Sequence, residues 1–127
     1  MEARRYDLPD RMDMFAARIV KYVDRMPTTM AGKYYAGQLL RSGGSPALQY
    51  GEATGAESTD DFVHKLKVAL KELKESRSNL KIQGLSELMS TSDKDHQCLT
   101  KECAELIAII AKSITTARKN QSDRAKK

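Results

Sequence analysis

Apolar residues recur along this chain in steps of three and four, the period of a helix face. Met12, Phe15, Ile19, Tyr22 and Met26 mark the first such stripe, and predict a helix from about Asp10 to Met26. Asp7 or Asp10 can cap it, and Pro27 stops it. Thr28 or Thr29 caps a second helix that runs to about Thr54. Tyr34, Tyr35, Leu39 and Leu40 supply its apolar content before an interruption at Gly43-Gly44-Ser45-Pro46, and Leu48, Tyr50 and Ala53 continue it afterwards. Pro46 lacks an amide hydrogen and its ring crowds the carbonyl of Ser42. Each glycine weakens the same turn by about 1 kcal/mol relative to alanine. No polar loop separates the two halves, so the pattern predicts one bent helix rather than two.

Gly55 ends that helix, and Ser58 with Asp61 imitates a capping box for the third. Phe62, Leu66, Ala69, Leu73, Ser76 and Leu80 follow in the most regular stripe of the chain, and Gly84 bends or ends the helix near Met89. Thr91-Ser92-Asp93 is a turn. The fourth helix runs from about Lys94 to Asn120 with two stripes, Cys103, Ile107, Ile110, Ile114 and Ala117 beside Leu99, Leu106 and Ile109. So wide an apolar arc lies deep in a bundle or meets another subunit. Short links near Pro27, Gly55 and Ser92 force neighbouring helices to run antiparallel. The expected fold is all-α, an up-down-up-down four-helix bundle with a kinked second helix. One domain spans residues 1–120, followed by a basic polar tail over 121–127.

Composition narrows this further. With 127 residues and 40% apolar content there is one core and not two. No segment alternates apolar with polar for long, so strands are not expected. No apolar run is long enough to span a membrane, and no apolar stretch follows the basic N-terminal residues as in a secretory signal. Cys98 and Cys103 lie five residues apart on one helix, which disfavours a disulfide and suits a reducing, cytoplasmic setting. The net charge of +5 is placed unevenly: residues 112–127 carry Lys112, Arg118, Lys119, Arg124, Lys126 and Lys127 against Asp123, while residues 1–111 balance. Such an end binds phosphate backbones or simply solvates a helix terminus.

Candidate chemistry is sparse. Lys67, Lys71, Lys74 and Lys81 form a basic ridge on the third helix. A nucleic-acid backbone can follow it, unless Glu72 and Glu75 neutralise it as helix-stabilising partners. No aromatic residue is interleaved with it, so binding is expected to the backbone and without base selectivity. Arg41 and Glu52 lie three turns apart around the Gly-Pro interruption. They line a groove there, or Arg41 serves carbonyls freed by Pro46 while Glu52 pairs with a neighbouring helix. His64 follows Asp60 and Asp61 at helical spacing, an acid–imidazole pair without a nucleophile. His96, Cys98 and Cys103 are soft ligands whose spacing does not match a zinc site. Gly43-Gly44-Ser45 lacks the spacing and lysine of a phosphate-binding loop. No metal or cofactor is expected, and no enzymatic activity.

Read together, Gln38 to Ser45, Gly51-Glu52-Ala53, Asp61-Phe62 and the run from Leu66 to Ser76 resemble the four-helix-bundle family first noticed as open reading frames within intervening sequences of bacterial 23S rRNA. The resemblance covers roughly Phe15 to Lys119, and Gln49 stands where the family commonly shows Asn. It marks Arg41, Ser42, Gly43, Ser45, Pro46, Gly51, Glu52, Asp61 and Phe62 as motif positions. It implies four antiparallel helices that assemble as a ring-like homopentamer, and it implies no established activity. Accessory proteins of diversity-generating retroelements are similar to this family in fold. They are basic pentamers that bind nucleic acid and a reverse transcriptase. The expected function is therefore a homo-oligomeric scaffold that binds RNA or DNA through its basic ridge and tail. The alternative is a ring or adaptor that binds a protein, a reverse transcriptase included.

Overall fold

The computed structural model describes residues 7–126 and contains four α-helices: α1 (Leu8–Val23), α2 (Met30–Thr54), α3 (Thr59–Leu85) and α4 (Lys94–Ala125). Each begins at a side chain that accepts one of the amides a helix start leaves unpaired. Asp7 accepts from the Asp10 amide, Thr29 from Gly32, Ser58 from Asp61 and Asp93 from His96. α1 stops at Val23 rather than Met26, because the amides of Arg25 and Met26 reach back only three residues, to Tyr22 and Val23, before Pro27.

α2 continues unbroken through Pro46, which is buried. α3 ends at Leu85, earlier than expected, and Gly84 is not its stop signal. The left-handed position is taken by Glu87, with φ of 61°. The amides of Glu87 and Met89 then return to the carbonyls of Gly84 and Gln83, a Schellman-like closure. α4 runs past Asn120 to Ala125, so the segment expected as a tail is helix up to that residue. Arg118 and Gln121 both donate to Asp60 Oδ1 and Arg124 donates to Thr59 Oγ1, which ties the end of α4 to the start of α3.

Contacts along the helices fix their directions. Arg11 of α1 pairs with Glu102 of α4, while Arg25, just beyond α1, pairs with Asp93 and Asp95 at the start of α4. Glu52 pairs with Lys65, Arg41 with Glu72, and the Tyr35 carbonyl with Asn79. The His96 ring meets the Leu80 carbonyl, and Cys103 Sγ donates to the Leu73 carbonyl. Successive helices therefore run antiparallel, and each packs on two neighbours around one core. Phe15, Ile19, Leu39, Leu66, Leu73, Leu80, Leu106 and Ile110 fill it. Most of the wide arc on α4 lies in the core of the single chain, while Ile109 and Ala117 are half-buried. Leu99, Cys103, Leu106, Ile107 and Ile110 are buried, and Ile114 packs against the core.

Two details of the packing bear on the surface. Gly43 lets α2 close on α1: a Cβ there would sit 2.1 Å from Ile19 Cδ1. A buried polar chain also crosses the core. Tyr22 Oη donates to Gln83 Oε1 (2.6 Å), Gln83 Nε2 to Asn79 Oδ1 (2.7 Å), and Asn79 Nδ2 to the Tyr35 carbonyl (3.0 Å). Burial, reinforced by the charge of Asp93, raises the Tyr22 phenol pKa above its ordinary value, so the hydroxyl stays a donor. The chain links α1, α3 and α2 and fixes Tyr35 against α3.

Candidate nucleic-acid interface

The antiparallel pairing of α2 and α3 opens a groove with a volume of about 660 Å³ between them. One wall is the lysine ridge of α3, where Lys67, Lys71 and Lys74 face the opening. The other wall is Tyr34, Tyr35 and Gln38 of α2, and Leu70 and Ile82 add apolar surface. Tyr34 is 60% exposed. Its ring meets that of Tyr35 edge to face, with centroids 5.2 Å apart and planes at 86°.

No aromatic residue is interleaved with the lysines along α3, but the fold brings two beside them. The tyrosines come from the neighbouring helix, 32 or more residues away in sequence. Folding the α2–α3 hairpin about its short link at Gly55–Ser58 supplies the missing signal. That operation sets Tyr35 opposite Asn79 and Arg41 opposite Glu72, as observed.

The acids of the ridge are occupied. Arg41 donates to Glu72 at 2.7 Å and also to Glu75, with a weaker contact to Gln38 at 3.3 Å. The hydrogen bond to Glu75 and the charge of Glu72 hold the guanidinium pKa above its usual value. Arg41 therefore serves no carbonyl freed by Pro46 and lies apart from Glu52, which binds Lys65 at 3.1 Å. Among the described residues Lys67, Lys71, Lys74 and Lys81 form no ion pair, and all four are exposed. Lys81 lies outside the lining of the groove.

The other motif positions are mostly structural. Ser42 is buried and shares a 2.8 Å hydrogen bond with Ser76, where α2 and α3 meet. Ser45 is half-buried, and the Gly51 carbonyl accepts from Thr54 Oγ1 at 2.8 Å. The Asp61 amide completes the Ser58 cap, and Phe62 packs half-buried against the core.

The cations of α4 are separated from this groove in sequence and differ in state. Arg118 is paired with Asp60 at 2.7 Å, whose carboxyl pKa is lowered by the hydrogen bonds from Gln121 and Arg118. That pairing also removes Asp60 from His64, which is exposed on α3. Lys112 borders a second hollow with Phe62 and Ile109, and Arg124 a third beside Thr59. Lys112, Lys119 and Lys126 are exposed with no ion pair among the described residues, and Lys127 lies outside those residues.

The soft ligands do not converge. His96 Nε2 lies 2.8 Å from the Leu80 carbonyl and Cys98 is exposed on α4. Cys103 is buried, and that burial pushes its thiol pKa up to about 12. Among the described residues no cluster of three or more His, Cys, Asp or Glu side chains is placed to hold a metal. Among the described residues no helix is long and apolar enough to cross a membrane.

Comparison with known proteins matches this architecture. No curated protein matches the chain. Among solved structures it is similar to a protein of unknown function from the S23 ribosomal protein family of Bacteroides thetaiotaomicron VPI-5482. The two are 27% identical, with a TM-score of 0.73 over 85% of this chain and 98% of that one. The family model for 23S rRNA-intervening sequence proteins matches residues 6–112, from before α1 through most of α4. The Arg41-Ser42-Gly43 motif that welds α2 to α1 and α3 lies inside that span, and the chain belongs to the 23S rRNA-intervening sequence protein family.

Proposed function

We propose that this protein is a non-enzymatic, homo-oligomeric scaffold that binds the backbone of RNA or DNA through the lysine ridge of α3, aided by Lys112, Lys119 and Lys126 towards the end of α4. One observation carries the reading. The two acids best placed to neutralise the ridge, Glu72 and Glu75, are taken by Arg41, so Lys67, Lys71 and Lys74 keep their charge for an external anion.

The outer face of α2 supports assembly. Gly37, Leu40, Gly44, Leu48 and Gly51 recur there in steps of three and four. A Cβ at Gly37, Gly44 or Gly51 would meet nothing within 4 Å, so the fold of one chain does not require those glycines. Each costs about 1 kcal/mol of helix stability. Leu40 and Leu48 between them are 44% and 73% exposed. Small residues beside outward leucines let a second helix approach closely, which suits a repeated contact between copies. A ring of copies, with the family's five as the expected number, multiplies weak backbone contacts into useful avidity.

Fluorescence anisotropy of a labelled RNA tests the binding. K67Q/K71Q/K74Q abolishes most of the affinity, and K94Q/K101Q, on the exposed face of α4, leaves it unchanged. Equal loss in both variants, or none in either, defeats the reading. Sedimentation of G37A/G44A/G51A tests assembly, because these changes stabilise the isolated helix while blocking close approach. Wild-type protein sedimenting as a monomer at micromolar concentration defeats the oligomeric part.

A further inference from the structure

We infer that the α2–α3 groove is a single-strand site, in which an unpaired base stacks on Tyr34 while its flanking phosphates lie on Lys67, Lys71 and Lys74. The inference rests on the proposed backbone binding and specifies which form of nucleic acid the groove takes.

Three features of the groove distinguish it from a plain basic ridge. The first is Tyr34, an aromatic side chain 60% exposed beside three lysines that form no ion pair, in a groove that Glu75 also lines. A duplex hides its base faces and presents only phosphate and groove edges to such a surface. A single strand offers a π-face that any exposed ring can stack upon. The second is a second ring beside it: Tyr35 meets Tyr34 edge to face, and the hydrogen bond from Asn79 to the Tyr35 carbonyl ties this turn of α2 to α3. The third is the apolar surface of Leu70 and Ile82, of which Ile82 is 39% exposed. Phosphates gain nothing from apolar surface, whereas a base buries against it.

The lysines fit the remaining part of a nucleotide chain. Lys67 to Lys74 spans two helical turns, about 10 Å along α3, so the cations form a short rail rather than a point.

The test compares a short mixed-sequence RNA strand with the blunt duplex formed from it, both fluorescein-labelled, by anisotropy at fixed salt. Wild-type protein is expected to favour the single strand. Y34L is expected to lose about tenfold or more for the strand and nothing for the duplex. Y34W is expected to retain or improve strand binding, and thermal melts confirm that both variants fold. If both RNAs bind and Y34L matches the wild type on each, the stacking inference fails while backbone binding stands. Neither RNA binding at all overturns both. Heparin or polyglutamate binding as well as the strand, with no sensitivity to Y34L, also overturns the inference, since neither polyanion carries a base.

Discussion

Replacing Gly43 with alanine sets two effects of known sign against each other. Alanine favours a helix interior over glycine by about 1 kcal/mol. Its Cβ, however, would lie 2.1 Å from Ile19 Cδ1, 3.3 Å from Cγ1 and 3.4 Å from Cγ2. Carbon atoms in contact sit about 3.5–4.0 Å apart, so the terminal methyl of Ile19 must retreat by roughly 1.5 Å. Ile19 is fully buried, so that retreat has to be made within the core. Overpacking of this kind costs about 1–3 kcal/mol. The net for Gly43→Ala is a destabilisation of about 0–2 kcal/mol, worth up to roughly 10 °C in a chain of this size. The companion change Ile19→Val removes the clashing methyl and costs about 0.5–1.5 kcal/mol alone. Together the two substitutions exchange one methyl for another at the same place. The double variant is therefore expected to be more stable than the sum of the singles by about 1–2 kcal/mol. Urea denaturation of all four proteins, at one protein concentration so that assembly is held fixed, measures the coupling. A Gly43→Ala protein as stable as the wild type, with no coupling to Ile19→Val, refutes the close α1–α2 approach.

Three further outcomes follow from the same structure. Arg41→Met frees Glu72 and Glu75 beside the lysine ridge and is expected to weaken RNA binding about twofold, since one unit charge about 8 Å away in water is worth roughly 0.5 kcal/mol. Anisotropy titration checks it, and unchanged affinity contradicts the masking role of Arg41. Glu87→Gly relieves a left-handed residue at the end of α3 and is expected to raise stability by about 0.5–1 kcal/mol, read as an upward shift in the melting midpoint. Asp93 is held below the usual carboxylate range by its hydrogen bonds from Arg25 and the His96 amide. Its contribution is thus present above the ordinary Asp pKa and lost as pH falls through the lowered one. In acid melts Asp93→Ala should show a shallower loss of stability below pH about 4 than wild type, while Asp93→Asn keeps the cap and loses only the pH-dependent part.

Much of the fold was legible because it depends on local signals. The stripes of α1 and α3, the caps at Asp7, Thr29 and Ser58, and the continuity of α2 through Pro46 all follow from residues within a turn or two of each other. The features that were not legible are those made between helices. Gln83 and Asn79 read as ordinary polar positions, yet both are buried, because Tyr22 and the Tyr35 carbonyl meet them across the core. The end of α4 read as a tail because its composition is polar. Its helix is held instead by Asp60 and Thr59, more than 55 residues earlier in the chain. The candidate site suffered most from this. The lysines were visible as a ridge, but Tyr34 and Arg41 approach that ridge from another helix, and periodicity along one helix does not report its neighbour.

The central claim is that Lys67, Lys71 and Lys74 carry backbone binding. Its most direct test is the salt dependence of RNA affinity, measured for the wild type and for K67Q/K71Q/K74Q. Each phosphate neutralised contributes about 0.7 to the slope of log affinity against log salt for a single strand. Removing these lysines should therefore flatten the slope by about 2. A variant whose slope equals that of the wild type, however much its affinity differs, would place the anion elsewhere and contradict the account.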